Sequence, residues 1–208
     1  MTHLKSVAHN MITLFAFALS AGAFATDEPT QPESGFSTNS QTLVTADKFM
    51  ISAANPLAVQ AGYDVLERGG TAMDAAITTQ FVLNLVEPQS SGIGGGAFLI
   101  YYEKNSDTLH TLDGREEAPA SIRSDHFLQK NGEPIPWWDR ITGGQSVGIP
   151  GTMKLLEEGY NMFGKASWRD LVTPAIKLAE NGFPVSPRMS NSIQVASERG
   201  LKKFEVSR

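Results

Sequence analysis

The sequence predicts a mixed α/β (α+β) fold, and three stretches predict it. The first is a β-hairpin pattern: an apolar run over residues 97–102, a polar turn at 103–107 and a second short run over 108–112. Two β-rich runs joined by a short turn mark a hairpin. The second is AMDAAITTQFVLNLV, residues 72–86. A helix that is apolar on most faces is buried rather than laid on a surface. The third is a series of capped and glycine-stopped helical segments after Pro150-Gly151.

Taken in order, residues 1–25 form a secretory signal peptide. Lys5 supplies the positive start, residues 11–19 the apolar run, and Ala23-Phe24-Ala25 the small-x-small cleavage site. The run is too short for a membrane anchor, and no cysteine is present to carry a lipid. The expected destination is periplasmic or secreted. Residues 26–41 are rich in Pro, Ser, Thr, Gln and Glu, with little to bury, and are expected to be a flexible linker. The folded portion is expected over 42–208.

Within it, residues 43–45 and 50–53 suggest short strands. Asn55-Pro56 starts a helix, whose apolar stripe is Leu57, Ala61, Val65 and Leu66 and whose stop is Gly69-Gly70. Thr71 caps the next helix, with Asp74 three residues on to support the free N–H groups. Pro88 ends it, and a loop containing Gly92, Gly94, Gly95 and Gly96 leads into the hairpin. After the hairpin comes Asp113-Gly114-Arg115-Glu116-Glu117, then a long Pro- and Gly-punctuated loop with Trp137 and Trp138. That pair could wall a ligand. Plugging the edge of the core is favoured, because large aromatics dominate cores. Helices are expected over 152–162 and from the Ser167 cap, with Pro174 restarting the second and Asn181-Gly182 stopping it. From Met189 onward the chain is expected to be helical at first and then highly charged.

Composition excludes several function classes. The 208 residues are 41% hydrophobic and 19% charged, ordinary for a globular protein. A formal net charge of −5 gives no electrostatic reason to bind nucleic acid. Zero cysteines remove disulfides, thiolate chemistry and Cys-based metal sites. His3 and His9 lie in the leader; His110 and His126 lack carboxylates at ligand spacing and suit a surface or turn better than a metal. No cofactor is expected.

The glycine loop is not a phosphate loop. Phosphate loops run strand, loop, helix; here a helix precedes the loop and a strand follows. Close backbone packing explains the glycines better. Arg115 admits two readings on residue chemistry alone. With Asp113, Glu116 and Glu117 it could form a surface ion-pair network, or its planar fork could bind a substrate carboxylate.

Five blocks carry a family resemblance. GGTAMDAA at 69–76, SGIGGGAF at 91–98, DGREEAP at 113–119, VGIPGTM at 147–153 and LVTPAIKLAENGFPVS at 171–186 resemble, in order and spacing, the γ-glutamyltransferase (γ-glutamyltranspeptidase) family. The resemblance runs from about Leu43 to the C-terminus. One departure is Thr71-Ala72-Met73, where the family more often has Asn-Ala-Val. The resemblance implies part of an N-terminal nucleophile hydrolase, a four-layer αββα sandwich, incomplete in this chain. It implies that Arg115 binds the α-carboxylate of a γ-glutamyl substrate such as glutathione.

It also implies a precursor that cuts itself before a threonine, which becomes the nucleophile of a second, smaller subunit. An α-amine of pKa about 8 beside that hydroxyl suits it as the base. In the family this threonine lies well beyond residue 208, and Thr78-Thr79-Gln80 does not match the cleavage motif. No catalytic residue is therefore assigned in this chain. The whole enzyme is expected to transfer γ-glutamyl groups of glutathione and related amides to amino acids, peptides or water, with a complementary C-terminal subunit as partner. A β-lactam side-chain acylase is the alternative within the family. A noncatalytic truncated remnant that at most binds glutamate or partner chains is the alternative outside it.

Overall fold

The computed structural model describes residues 43–205. The expected signal peptide and linker therefore lie outside the described residues.

Two helices form the base. Helix α1 (Pro56–Glu67) begins at Asn55, whose side chain accepts the Leu57 N–H at 3.0 Å, with Pro56 in the first turn. It ends at Gly69, where φ is 84°, a conformation glycine takes without a Cβ penalty. Helix α2 (Ala72–Val86) opens with a complete capping box: Thr71 Oγ1 accepts from Asp74 N, and the Asp74 carboxylate accepts from Thr71 N. Asp74 is fully buried and also accepts the backbone N–H groups of Lys165 and Ala166. One carboxylate thus joins the start of α2 to a loop ninety residues away.

The hairpin pairs β1 (Ala97–Glu103) with β2 (Thr108–Gly114) antiparallel, in register from Ala97↔Gly114 to Glu103↔Thr108. Both strands run one or two residues further than the sequence pattern suggests. Asp107 closes the turn at φ 52° and accepts a hydrogen bond from Tyr102 Oη. Strand alternation separates the faces. Leu99, Tyr101 and Leu112 face the core, whereas Phe98, Ile100, Tyr102 and Leu109 are exposed.

Beyond the hairpin come α3 (Trp137–Ile141), α4 (Thr152–Phe163), α5 (Trp168–Asn181), α6 (Pro187–Glu198) and a 3₁₀ turn (Leu201–Lys203). Helix α2 packs against α1, α4 and α5. Two apolar clusters result. Met73, Ile77, Leu155, Leu156 and Leu171 join α2 to α4 and α5; Ala58, Ala61, Val82 and Val86 join it to α1.

Three expectations are corrected. Residues 43–53 form no paired strand among the described residues. Phe49, Ile51 and Ala53 turn inward in strand-like alternation, but no neighbouring strand completes a ladder. Trp137 and Trp138 do not plug the core: they are 51% and 42% exposed, with Arg140 over the Trp137 ring and Arg199 over that of Trp138. Cation–π pairing accommodates aromatics at a surface. Pro174 does not restart α5, which runs through it. Losing one N–H is outweighed there because Leu171, Ala175 and Leu178 bury the face toward α2.

Candidate functional site

Three glycine-bearing segments meet at the end of the hairpin. The glycine loop presents the Gly95 carbonyl to the first turn of α4, and Gly151 N and Thr152 N both donate to it at 3.1 Å. Two of the free N–H groups at that helix start are satisfied by the loop itself. Segment 115–119 is fastened to segment 147–149 by a β-bridge: Ile149 N donates to Glu117 O at 2.8 Å, and Glu117 N to Ile149 O at 3.4 Å.

Two glycines permit these approaches. A Cβ at Gly96 would sit 2.5 Å from Glu116 Oε2 and 2.7 Å from Glu116 N. A Cβ at Gly151 would collide with the Gly114 carbonyl. The glycines therefore serve close backbone packing, and the loop's approach to α4 is already filled by its own chain.

Arg115 stands where the three segments meet. Its backbone N–H donates to Asp113 Oδ1 at 2.9 Å, which fixes the turn out of β2. Its Nη1 lies 3.1 Å from Glu116 Oε2, with side-chain exposures of 67% and 27%. An ion pair that open is worth about 0–1 kcal/mol, so an incoming carboxylate can compete for the guanidinium. Glu116 Oε2 is buried and accepts no well-directed hydrogen bond among the described residues.

Arg115 lines two cavities. The larger, about 610 Å³, is also lined by Gly94, Glu116, Ile122, His126 and Ser146. The smaller, about 270 Å³, lies toward α4 and includes Asp113, Glu117, Lys154 and Glu158. Lys154 sits 2.8 Å from both Glu157 and Glu158. The hydrogen bonds it donates to the Glu157 and Glu158 carboxylates raise its ammonium above the ordinary lysine range. It remains a fixed positive charge on the rim.

Of the two histidines outside the leader, His126 is exposed and its Nε2 donates to Gln145 O at 2.9 Å, tying two cavity walls together. His110 lies on β2 against Phe163. Among the described residues no group of three or more His, Cys, Asp and Glu could hold a metal. Sequence reasoning singled out Arg115 as a candidate but missed the Glu116–Gly96 contact and the His126 tie. Both depend on tertiary meetings between distant segments, and no local pattern announces them.

The sequence profile of the gamma-glutamyltranspeptidase family matches residues 58–207. The chain belongs to the γ-glutamyltranspeptidase family. The glutathione hydrolase proenzyme of Bacillus subtilis (strain 168) is 46% identical over 150 residues, a match covering 72% of this chain and 26% of that protein. The crystal structure of Helicobacter pylori gamma-glutamyltranspeptidase superposes with a TM-score of 0.74 at 35% identity, covering 80% of this chain and 47% of that one. Gamma-glutamyltranspeptidase from Pseudomonas nitroreducens complexed with L-DON gives 0.71 at 33% identity, covering 77% and 47%.

The chain thus spans about a quarter of the length of that curated relative. Its mixed helices and hairpin are a partial piece of the N-terminal nucleophile hydrolase fold shared by these γ-glutamyltranspeptidases. Within that piece both threonines of the Thr78-Thr79 pair are buried. Thr78 is fully buried and its Oγ1 donates to Leu171 O at 3.0 Å. Thr79 is 7% exposed in the same helix, with Oγ1 pressed toward Gly62.

Proposed function

We propose that the complete polypeptide containing this segment transfers the γ-glutamyl group of glutathione and related γ-glutamyl amides to amino acids, peptides or water. In this reading Arg115 binds the α-carboxylate of the γ-glutamyl group. The observation that carries it is Arg115 itself: a mostly exposed guanidinium, weakly paired, on a turn fixed by Asp113 and open to a 610 Å³ cavity. A guanidinium fork takes a carboxylate through two parallel hydrogen bonds. Family membership supports the reaction class.

The nucleophile is a threonine supplied by a complementary C-terminal subunit, cut from the same precursor. Its hydroxyl attacks the γ-amide carbonyl, the amine leaves, and water or an acceptor amine takes the acyl group. This segment contributes the carboxylate anchor that orients the amide for attack, and orientation of that kind supplies much of an enzyme's rate. Alone, the 208-residue chain is inactive in this reading. No helix among the described residues is long and apolar enough to cross a membrane. The leader pattern at residues 1–25 supports export.

The test is steady-state kinetics of the complete enzyme on a γ-glutamyl anilide, comparing Arg115→Ala and Arg115→Lys with the parent. A near-normal kcat/KM in Arg115→Ala would overturn the assignment.

A further inference from the structure

The glycine loop has few side chains by which to be held. Gly92, Gly94, Gly95 and Gly96 offer none, and Ile93 is 59% exposed. Its far end is fixed by β1 and by the two hydrogen bonds into the Gly95 carbonyl. Its near end hangs on two serines. Ser91 Oγ lies 2.7 Å from Asn84 Oδ1 and 2.6 Å from Gln80 Nε2, both on α2.

Ser90 is held from another element. Arg188, in the first turn of α6, donates from Nη2 to Ser90 Oγ at 2.8 Å and from Nη1 to Glu87 Oε2 at 2.7 Å. Glu87, the C-cap of α2, is 4% exposed and also accepts from Asn55 Nδ2 and Gln89 Nε2. One buried carboxylate therefore joins the start of α1, the end of α2, the approach to the glycine loop and the start of α6.

We infer that Glu87 and Arg188 form a positioning clamp: acting through Ser90, they set the glycine loop where Gly96 backs Glu116 and so fix the stance of Arg115. The inference rests on the proposed role of Arg115 in substrate binding. A buried ion pair adds little net stability over apolar residues of the same volume, so this one contributes geometry. Arginine suits the task because its rigid fork addresses Glu87 with one nitrogen and Ser90 with another. A lysine ammonium has no such fixed fork. Neither Glu87 nor Arg188 touches the cavity beside Arg115, so they act on substrate only through the loop.

The experiment uses the complete precursor polypeptide with Ser90→Ala, Arg188→Lys, their double variant and Arg188→Ala. Hydrogen–deuterium exchange of the peptide over residues 90–97 reads the loop directly. Kinetics on γ-glutamyl p-nitroanilide read the site. Ser90→Ala and Arg188→Lys are expected to keep self-cleavage and melting temperature while loop exchange rises. Their kcat/KM should fall about 10- to 100-fold through KM, since a misplacement of about 1 Å costs on that order. The double variant should be no worse than either single, because both break one link.

Unchanged loop exchange in Ser90→Ala and Arg188→Ala, with only a lowered melting temperature, would overturn the clamp. So would faster exchange with an unmoved KM, provided Arg115→Ala is itself impaired. If Arg115→Ala is silent as well, the role of Arg115 falls instead, and the hold on the loop stands on the exchange data.

Discussion

Gly96 lies so close to Glu116 that the two cannot both keep their places if Gly96 gains a side chain. A Cβ there would meet the carboxylate at 2.5 Å and the backbone nitrogen at 2.7 Å. The carboxylate could rotate away, but the backbone nitrogen cannot yield without moving the turn that carries Arg115. Gly96→Ala is therefore expected to destabilise the fold by about 1–3 kcal/mol, the usual cost of overpacking. It should also lower kcat/KM of the complete enzyme. Chemical denaturation and anilide kinetics on one preparation check both. Parent-like values in each would show that the loop and the turn are not coupled.

Arg115 tests geometry apart from charge. Arg115→Lys keeps the positive charge and loses the fork, and Arg115→Ala loses both. Removing one partner of a charge-assisted pair that the substrate desolvates costs about 2–5 kcal/mol, a loss of tens to thousands of times in kcat/KM. In the proposed role the guanidinium holds substrate and not the scissile bond, so self-cleavage of the precursor is expected to remain normal. Gel analysis of subunit formation alongside the kinetics separates the two. Failure of Arg115→Ala to mature would point to a structural role.

Asp74 is the reverse case, a carboxylate engaged by backbone N–H groups. It is fully buried and accepts backbone N–H groups from Thr71, Lys165 and Ala166. Asp74→Ala leaves these donors without an acceptor in a dry site, at about 1–3 kcal/mol for each one left unsatisfied. The expected result is poor accumulation of the variant or a melting temperature lowered by many degrees. Any folded fraction should retain a parent-like KM. A parent-like melting temperature would show that water replaces the carboxylate.

Export has its own check. The pattern of Lys5, the apolar run and Ala23-Phe24-Ala25 predicts cleavage after Ala25. Mass spectrometry of a periplasmic fraction should find Thr26 as the mature N-terminus. An intact Met1 species in the cytoplasm would count against it.

How much of this the sequence carried depends on whether each feature is local. The starts of α1 and α2 were legible because Asn55-Pro56 and Thr71 with Asp74 cap within a few residues of themselves. The hairpin was legible because its alternation and turn are contiguous. Residues 50–53 carry strand alternation, yet a strand exists only when a second backbone completes its ladder, and a pattern cannot name that partner. Trp137 and Trp138 were misjudged because apolar area says nothing about whether Arg140 and Arg199 arrive to cover it. At the site, Arg115 was singled out by the family pattern, since residue chemistry alone left it equally a surface ion-pair partner. The Gly95–Thr152 hydrogen bond and the Gly96–Glu116 contact join distant segments and emerge only on folding.

The 208-residue chain by itself is expected to be catalytically silent and prone to associate. The reason lies in the hairpin rather than in α2, which α1, α4 and α5 already pack against. Phe98, Ile100, Tyr102 and Leu109 share the outer face of the two strands at 56–72% exposure. Residues 43–53 add a segment that pairs with no strand among the described residues. An uncovered apolar strand face and unpaired backbone edges recruit other chains. Purified alone, the chain should bind a hydrophobic dye, elute as aggregates and release no product from a γ-glutamyl anilide. Co-expression with the C-terminal subunit proposed above is expected to restore both solubility and turnover, because a partner packed on this outer strand face would cover it. A monomeric, cooperatively melting 208-residue product that hydrolyses glutathione above background would overturn this. Catalysis would then have to come from a hydroxyl other than that of Thr78, which is sealed against Leu171 in the core.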